Sequence, residues 1–153
     1  MTGFEFVISK LKDSSVKDLR QQAYVIATIA HETANTFTPI LEYGSPEYLK
    51  AKPYYPFIGR GYIQLTWKNN YELFGRLLKI DLVNNMELVL EPETAWKICE
   101  IGMTKGLFTG KKLDDYLNDK TTDWINSRRI INGIDKAEKI AKQAQEYLKI
   151  ISP

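Results

Sequence analysis

Three glutamates, Glu32, Glu42 and Glu47, have the spacing in this sequence that best suits acid–base chemistry. Glu32 ends the stretch YVIATIAHE, in which apolar and small residues leave no polar face. A helix of this kind is normally buried, so a carboxyl at its end is partly desolvated, which favours the protonated form that a general acid needs. A solvated glutamate is the weaker interpretation, because a negative charge there opposes the helix dipole.

A second carboxylate follows within a short distance along the chain. Glu42 lies ten residues after Glu32, and Glu47 lies five residues further on. A helix end followed by a returning loop can place two carboxyl groups on opposite walls of one cleft. Hydrolysis of a glycosidic bond uses such a pair, one group to protonate the leaving oxygen and one to activate water or attack the sugar. The residues alone leave both Glu42 and Glu47 open as the second group.

Aromatic side chains crowd the same part of the sequence, and we expect them to divide between sugar contacts and the core. They are Tyr43, Tyr48, Tyr54, Tyr55, Phe57 and Trp67. The segment GRGYIQLT follows, where two glycines around Arg60 indicate a tight backbone path. Gln64 and Thr66 are predicted to share one face of an extended segment, able to bind a sugar and hold a water. The alternative is a turn with a salt-bridged Arg60 and Thr66 as a helix N-cap.

Metal and nucleophile chemistry have less support. His31 is the only histidine and Cys99 the only cysteine. The segment HETAN lacks the second histidine of the H-E-x-x-H zinc motif, because position 35 is Asn. We therefore expect no metal and no cofactor, a structural role for His31 and a buried thiol at Cys99.

The elements that must position these groups are predicted to be mainly helical, with six or seven helices and at most a small β-hairpin. Ser15 with Asp18 predicts a capping box for the long helix that ends at Glu32, and Asp135 with Glu138 predicts another for the last helix. Pro92 is predicted to open a helix that Gly106 follows. Residues 36–61 are expected to form a loop or hairpin without a helix, and residues 62–65 a short strand.

Length and composition bound the possible functions. The 153 residues, 44% hydrophobic and 26% charged, predict one globular domain over residues 1–153. A net charge of +2 is too weak to indicate nucleic-acid binding, although it suits approach to an anionic polymer such as a bacterial cell wall. With neither a signal peptide nor a membrane span in the sequence, we expect a protein made in the cytoplasm that reaches an external target by another route. We also expect it to be a monomer.

Four segments, HETANTFTPILEYGS, GRGYIQLTWKNNY, DLVNN and RRIING, occur in an order and spacing that resemble the family-19 glycoside hydrolases. This family comprises chitinase-like enzymes and includes compact endolysins of bacteriophages. The resemblance covers nearly the whole chain and implies a mainly α, lysozyme-like fold. It also implies cleavage of β-1,4 bonds in chitin or peptidoglycan, with inversion at the anomeric carbon.

The resemblance also implies roles for individual residues. Glu32 matches the general acid, and Glu42 is the best match for the second carboxylate, with Glu47 still possible. Thr66 matches the hydroxyl that helps to hold the attacking water. The predicted substrate-binding residues are Gln64, Asn70, Asn132, Tyr55, Arg60 and Trp67.

The chain differs from the plant enzymes of the family in its single cysteine, its lack of a chitin-binding module and its shorter loops. These differences favour the lysozyme-like branch and peptidoglycan as the substrate. A chitinase, a lytic transglycosylase and a non-catalytic glycan-binding protein of the same fold are the alternatives. The presence of Glu32, a second acid, Gln64 and Thr66 favours an enzyme over a binding protein.

Overall fold

The computed structural model describes all 153 residues. It is 54% helical, with seven α-helices and one two-stranded antiparallel sheet, which confirms the predicted mainly α, lysozyme-like fold. The helices are α1 (Gly3–Lys12), α2 (Leu19–Glu32), α3 (Pro46–Lys50), α4 (Lys68–Leu78), α5 (Pro92–Lys105), α6 (Leu113–Tyr116) and α7 (Ala137–Ile151), and the strands are β1 (Ile40–Leu41) and β2 (Arg60–Gly61). Two 3-10 helices span Met86–Leu90 and Asn126–Ile130.

The chain folds into two compact units. The first comprises Met1–Phe37 and Cys99–Pro153, and the second comprises Thr38–Ile98. Of the two divisions along the sequence, the one between Ile98 and Cys99 falls inside α5. None of the helices is long and apolar enough to span a bilayer.

The first unit is built on α2 and α7, which pack against each other. Every residue of α2 from Ala23 to Ala30 is buried, as its apolar sequence predicts. The helix begins at Asp18, whose carboxylate accepts hydrogen bonds from the backbone N–H groups of Arg20 and Gln21. The predicted capping box is therefore wrong, because Asp18 itself is the cap and Ser15 donates to Glu100 instead.

Helix α7 buries an apolar stripe that contains Ile140, Ala141 and Ala144. The prediction that Asp135 caps this helix is wrong. Lys136 occupies the N-cap in a left-handed conformation, with φ of 60°, and its side chain makes no capping hydrogen bond. In this unit the ring of Phe37 also packs edge-on against the rings of Phe4 and Tyr147, with centroid distances of 5.2 and 6.2 Å.

The second unit contains the small sheet, in which Ile40 pairs with Gly61 and Leu41 with Arg60. Gly61 has φ of +94°, and an added Cβ would lie 3.1 Å from the carbonyl oxygen of Val89, so this position requires glycine. The prediction that residues 36–61 contain no helix is wrong. Ser45 accepts from the N–H of Tyr48 and Pro46 occupies the first turn, which is enough to start the short helix α3.

Residues 62–64 form a turn and Leu65 makes an isolated antiparallel bridge with Arg60, so the predicted strand over residues 62–65 is wrong. Arg60 and Leu65 exchange both backbone hydrogen bonds, at 3.1 and 2.9 Å, and Gln64 takes a left-handed φ of 59° to close the loop between them. Helix α4 then begins after Trp67, which has φ of 77°. Thr66 donates its hydroxyl to the carbonyl oxygen of Gln64, at 2.8 Å, so it is not the N-cap of α4.

Candidate active site

Glu32 lies at the last position of α2, where the chain turns sharply. Thr33 is buried; its hydroxyl donates to the carbonyl of Ile29 at 2.7 Å and accepts from the N–H of Phe37 at 3.1 Å. Ala34 and Asn35 follow with φ of 50° and 65°, in the left-handed region. These local bonds end the helix and fix the position of Glu32 on the backbone.

The carboxyl of Glu32 is held by Arg128. The guanidinium Nη1 of Arg128 lies 3.2 Å from Oε1 of Glu32, and the side chains of Arg128 and Glu32 are only 4% and 17% exposed. Arg128 is itself anchored, because its Nε donates to the carbonyl oxygen of Asp135 at 2.9 Å. The guanidinium therefore fixes one oxygen of Glu32 and leaves the other without a contact from Arg128.

Sequence reasoning missed Arg128 as a site residue. Its partner Glu32 lies 96 positions away along the chain, and only the block RRIING drew attention to this region. Burial also shifts the pKa of two other residues of α2. Burial lowers the pKa of His31 and raises the pKa of Tyr24, whose hydroxyl is buried without a hydrogen-bond partner.

Glu42 is held by the backbone and by two donors. Glu42 follows β1 directly and extends the pairing of the two strands by one residue, because its N–H donates to the carbonyl oxygen of Gly59 at 2.7 Å. Its carboxylate then accepts from the N–H of Gly59 at 2.9 Å, through Oε1, and from the hydroxyl of Tyr54 at 2.7 Å, through Oε2. Glu47 is exposed on α3. Of the two candidates for the second carboxylate, Glu42 is the one that its neighbours hold in a fixed orientation.

Gln64 and Thr66 do not lie on one extended face, since Gln64 has the left-handed conformation of a turn. The side-chain amide of Gln64 donates to the carbonyl oxygens of Ile40 and Gly61, at 2.9 and 3.3 Å. This amide therefore ties β1 to the turn, and its carbonyl oxygen is left to accept. A Cβ at Gly59 would lie 2.8 Å from that oxygen, so a larger residue there would displace the Gln64 side chain.

Some of the other predicted binding residues make hydrogen bonds within the protein, whereas others are exposed. Arg60 donates to the carbonyl oxygen of Pro56 at 3.2 Å and to the hydroxyl of Tyr71 at 3.0 Å, so its role includes supporting the loop. Asn70 donates to the carbonyl of Thr66 at 2.8 Å. Tyr55 and Trp67 are 43% and 47% exposed, which leaves aromatic surface for a ligand.

The predicted residues divide between the two units. Glu32 and Asn132 belong to the first, together with Arg128, and Asn132 is exposed. The other predicted residues, Glu42, Tyr55, Arg60, Gln64, Thr66, Trp67 and Asn70, belong to the second. No group of three or more histidine, cysteine or acidic side chains is placed to hold a metal ion. The absence of a cofactor stays a prediction.

Known proteins share this fold. The chain superposes on chitinase C from Streptomyces griseus HUT6037 with a TM-score of 0.69, at 22% identity, over 96% of this chain and 68% of that chain. A mutant form of chitinase C gives a TM-score of 0.65 at 21% identity, with the same coverage. This chain has a chitinase fold. A bacterial family 19 chitinase aligns with a TM-score of 0.47 and 22% identity, over 93% of this chain and 84% of that chain.

A short segment of the chain also matches a known protein in sequence. Chitinase 11 from Oryza sativa subsp. japonica is 62% identical over 34 residues, which is 22% of this chain and 13% of that protein. No family model matches the chain. The resemblance to the family-19 chitinases that the motifs predicted is thus confirmed for the fold, with a partial match in sequence.

Proposed function

We propose that this chain is a glycoside hydrolase of family 19 that cleaves β-1,4 bonds of bacterial peptidoglycan by inverting acid–base catalysis. One observation carries the proposal: on a chitinase fold, the two predicted carboxyl groups are both held by donors. Arg128 holds Glu32 at 3.2 Å, and Tyr54 and Gly59 hold Glu42 at 2.7 and 2.9 Å. Carboxyl groups fixed in this way are suited to transfer protons in a defined direction.

In the proposed reaction Glu32 donates its proton to the glycosidic oxygen as the bond to the anomeric carbon breaks. Glu42 removes a proton from the water that attacks this carbon, and the hydroxyl of Thr66 helps to orient that water. The water oxygen becomes the new anomeric hydroxyl. The proton that Glu42 has gained then returns to solvent, and Glu32 is reprotonated from solvent, which restores the starting state.

The charge of the chain supports peptidoglycan as the substrate. The net charge is +2, and bacterial cell walls are anionic polymers, whereas chitin is uncharged. We propose that the protein acts as a monomer at the wall after its release from the cytoplasm, for example during phage-induced lysis. Chitin is the second candidate substrate, because the solved structures with this fold and the partial sequence relative are chitinases.

Paired zymograms test the substrate class. Gels that contain purified peptidoglycan in one case and glycol chitin in the other are loaded with equal amounts of protein. We expect clearing in the peptidoglycan gel at a protein amount that leaves the chitin gel unchanged. Clearing of glycol chitin alone would assign the chain to the chitinases, and clearing of neither gel would favour a non-catalytic glycan-binding protein.

The stereochemistry of the product tests the roles given to Glu42 and Thr66. If both act on a water molecule, the reaction inverts the anomeric carbon and the α-anomer forms first. Proton NMR of a freshly cleaved oligosaccharide, recorded before mutarotation, should show this anomer. Initial formation of the β-anomer would make Glu42 a nucleophile, with Glu32 then activating the water that hydrolyses the glycosyl-enzyme, and would contradict the roles proposed for Glu42 and Thr66. A 1,6-anhydro product would identify a lytic transglycosylase.

A further inference from the structure

We propose that Tyr54 is a positioning residue for this reaction, which acts on Glu42 and not on the sugar. The proposal rests on the proposed function, because it assigns Tyr54 a role through the second carboxylate. Its basis is the hydrogen bond of 2.7 Å from the Tyr54 hydroxyl to Oε2 of Glu42. Sequence reasoning grouped Tyr54 with the aromatic residues that stack on sugars or fill the core, and gave its hydroxyl no role.

The carboxylate of Glu42 receives one donor at each oxygen. Gly59 donates its N–H to Oε1, and Tyr54 donates its hydroxyl to Oε2. Each carboxylate oxygen has two lone pairs, so each keeps one that can accept from water. The two donors thus fix both oxygens and leave room at each for the attacking water.

The two donors are not equivalent. Gly59 is fixed by the sheet register, since its carbonyl oxygen accepts from the N–H of Glu42 at 2.7 Å. The backbone therefore sets the position of Oε1. Rotation about the Cγ–Cδ bond of Glu42 would move both oxygens, and the hydrogen bond from Tyr54 adds a second anchor, at Oε2, that opposes this rotation. Its hydroxyl determines the plane in which the carboxylate meets the water.

The ring of Tyr54 is held by its own neighbours. It packs edge-on against the indole of Trp67, with 5.3 Å between the centroids, and the carbonyl oxygen of Tyr54 accepts from the N–H of Phe57 at 2.8 Å. Burial and the hydrogen bond to Glu42 raise the pKa of Tyr54 to about 12. The phenol thus stays protonated and remains a donor throughout the pH range in which a glycosidase acts.

The substitution Tyr54→Phe tests the proposal, because it keeps the ring and removes only the hydroxyl. We expect kcat to fall by about tenfold to a hundredfold, the effect of losing one hydrogen bond to a charged group, with KM unchanged. The matched control is Tyr147→Phe, a half-buried tyrosine in the aromatic cluster of the first unit, which should leave both constants unchanged. A raised KM with normal kcat in Tyr54→Phe would place the hydroxyl on the sugar and overturn the proposal.

A double-mutant cycle asks whether Tyr54 acts through Glu42. We expect the double variant Tyr54→Phe/Glu42→Gln to be no slower than Glu42→Gln alone, because the hydroxyl no longer has a catalytic carboxylate to position. Losses that multiply in the double variant would show that Tyr54 acts independently of Glu42. Normal kcat and KM in Tyr54→Phe, in an enzyme that Glu32→Gln inactivates, would reject the proposal and leave the proposed function intact.

A measurement that does not depend on activity tests the contact between Tyr54 and Glu42 separately from the proposed function. Tyrosine labelled with ¹³C at Cζ can be titrated by NMR, with the Tyr54 signal assigned from the spectrum of Tyr54→Phe. We expect the pKa of Tyr54 to be lower in Glu42→Gln than in the wild-type protein, because the negative charge of Glu42, which helps to raise it, is removed. An unchanged pKa would show that the hydrogen bond is absent and would overturn the proposal even if no glycan were cleaved.

Discussion

Replacing Glu32 with Gln is expected to lower the rate of glycan cleavage by about a hundredfold to ten-thousandfold, the usual contribution of a general acid. The amide keeps the size of the side chain and an oxygen that can still accept from Arg128, so the fold should be retained. It has no proton to transfer to the leaving oxygen. The loss should therefore appear in kcat, with substrate binding little changed.

Turnover of purified peptidoglycan and thermal unfolding should be measured on the same protein samples. Glu146→Gln, at an exposed position of α7, is the matched control and should behave as the wild type does. A folded Glu32→Gln protein with turnover near that of the wild type would remove Glu32 from the mechanism.

Replacing Arg128 with Met should cost both stability and activity. The change breaks a pair in which Arg128 is 4% exposed, and it leaves the carboxylate of Glu32 and the carbonyl oxygen of Asp135 without their donor. Removing one partner of a buried pair typically costs at least about 3 kcal/mol in the free energy of unfolding. Glycan cleavage should fall as well, because Glu32 loses the contact that orients it.

Urea unfolding and cleavage rates, compared across three variants, test this expectation. Arg128→Lys keeps the charge but not the planar set of donors. Its free energy of unfolding and its cleavage rate should therefore lie between those of Arg128→Met and the wild type. The neighbouring Arg129 is exposed, and Arg129→Met should change the free energy of unfolding by only about 0.5 kcal/mol or less. Equal stability and equal activity of Arg128→Met and Arg129→Met would show that the ion pair with Glu32 contributes nothing.

The parts of the fold that the sequence predicts well are those set by local periodicity. Helix α2 ends at Glu32 as predicted, because a long apolar run is sufficient to identify a buried helix. Helix α5 likewise starts at Pro92 and is followed by Gly106, which takes the left-handed φ of 70° typical of a residue after a helix end.

Features that depend on pairing between distant segments could not be predicted in the same way. Gln64 adopts a left-handed conformation because Arg60 and Leu65 close a ladder around it, and nothing in the residue types of 62–65 requires this. Helix caps were also mispredicted: the capping boxes proposed for Ser15 and Asp135 do not form, and Asp18 and Lys136 occupy the N-cap positions instead. For Ser15 the competing partner is distant in sequence, because its N–H and hydroxyl donate to Glu100.

The candidate site likewise combines features that the sequence predicts with features that depend on distant contacts. The acids themselves could be proposed from the sequence, and the structure adds the groups that hold them. Tyr54 and Gly59 lie 12 and 17 positions from Glu42, and Arg128 lies 96 positions from Glu32. These hydrogen-bond partners can be identified only when the sheet register and the packing of the helices are known.

The most direct test of the account is the release of reducing ends from purified peptidoglycan by the wild-type protein and by Glu32→Gln. We predict that the wild-type protein releases soluble fragments with new reducing sugars, which borohydride converts to the alcohols, and that Glu32→Gln releases almost none. Wild-type protein that leaves peptidoglycan intact, or equal release by both proteins, would contradict the proposal that this chain hydrolyses cell-wall glycan with Glu32 as its acid.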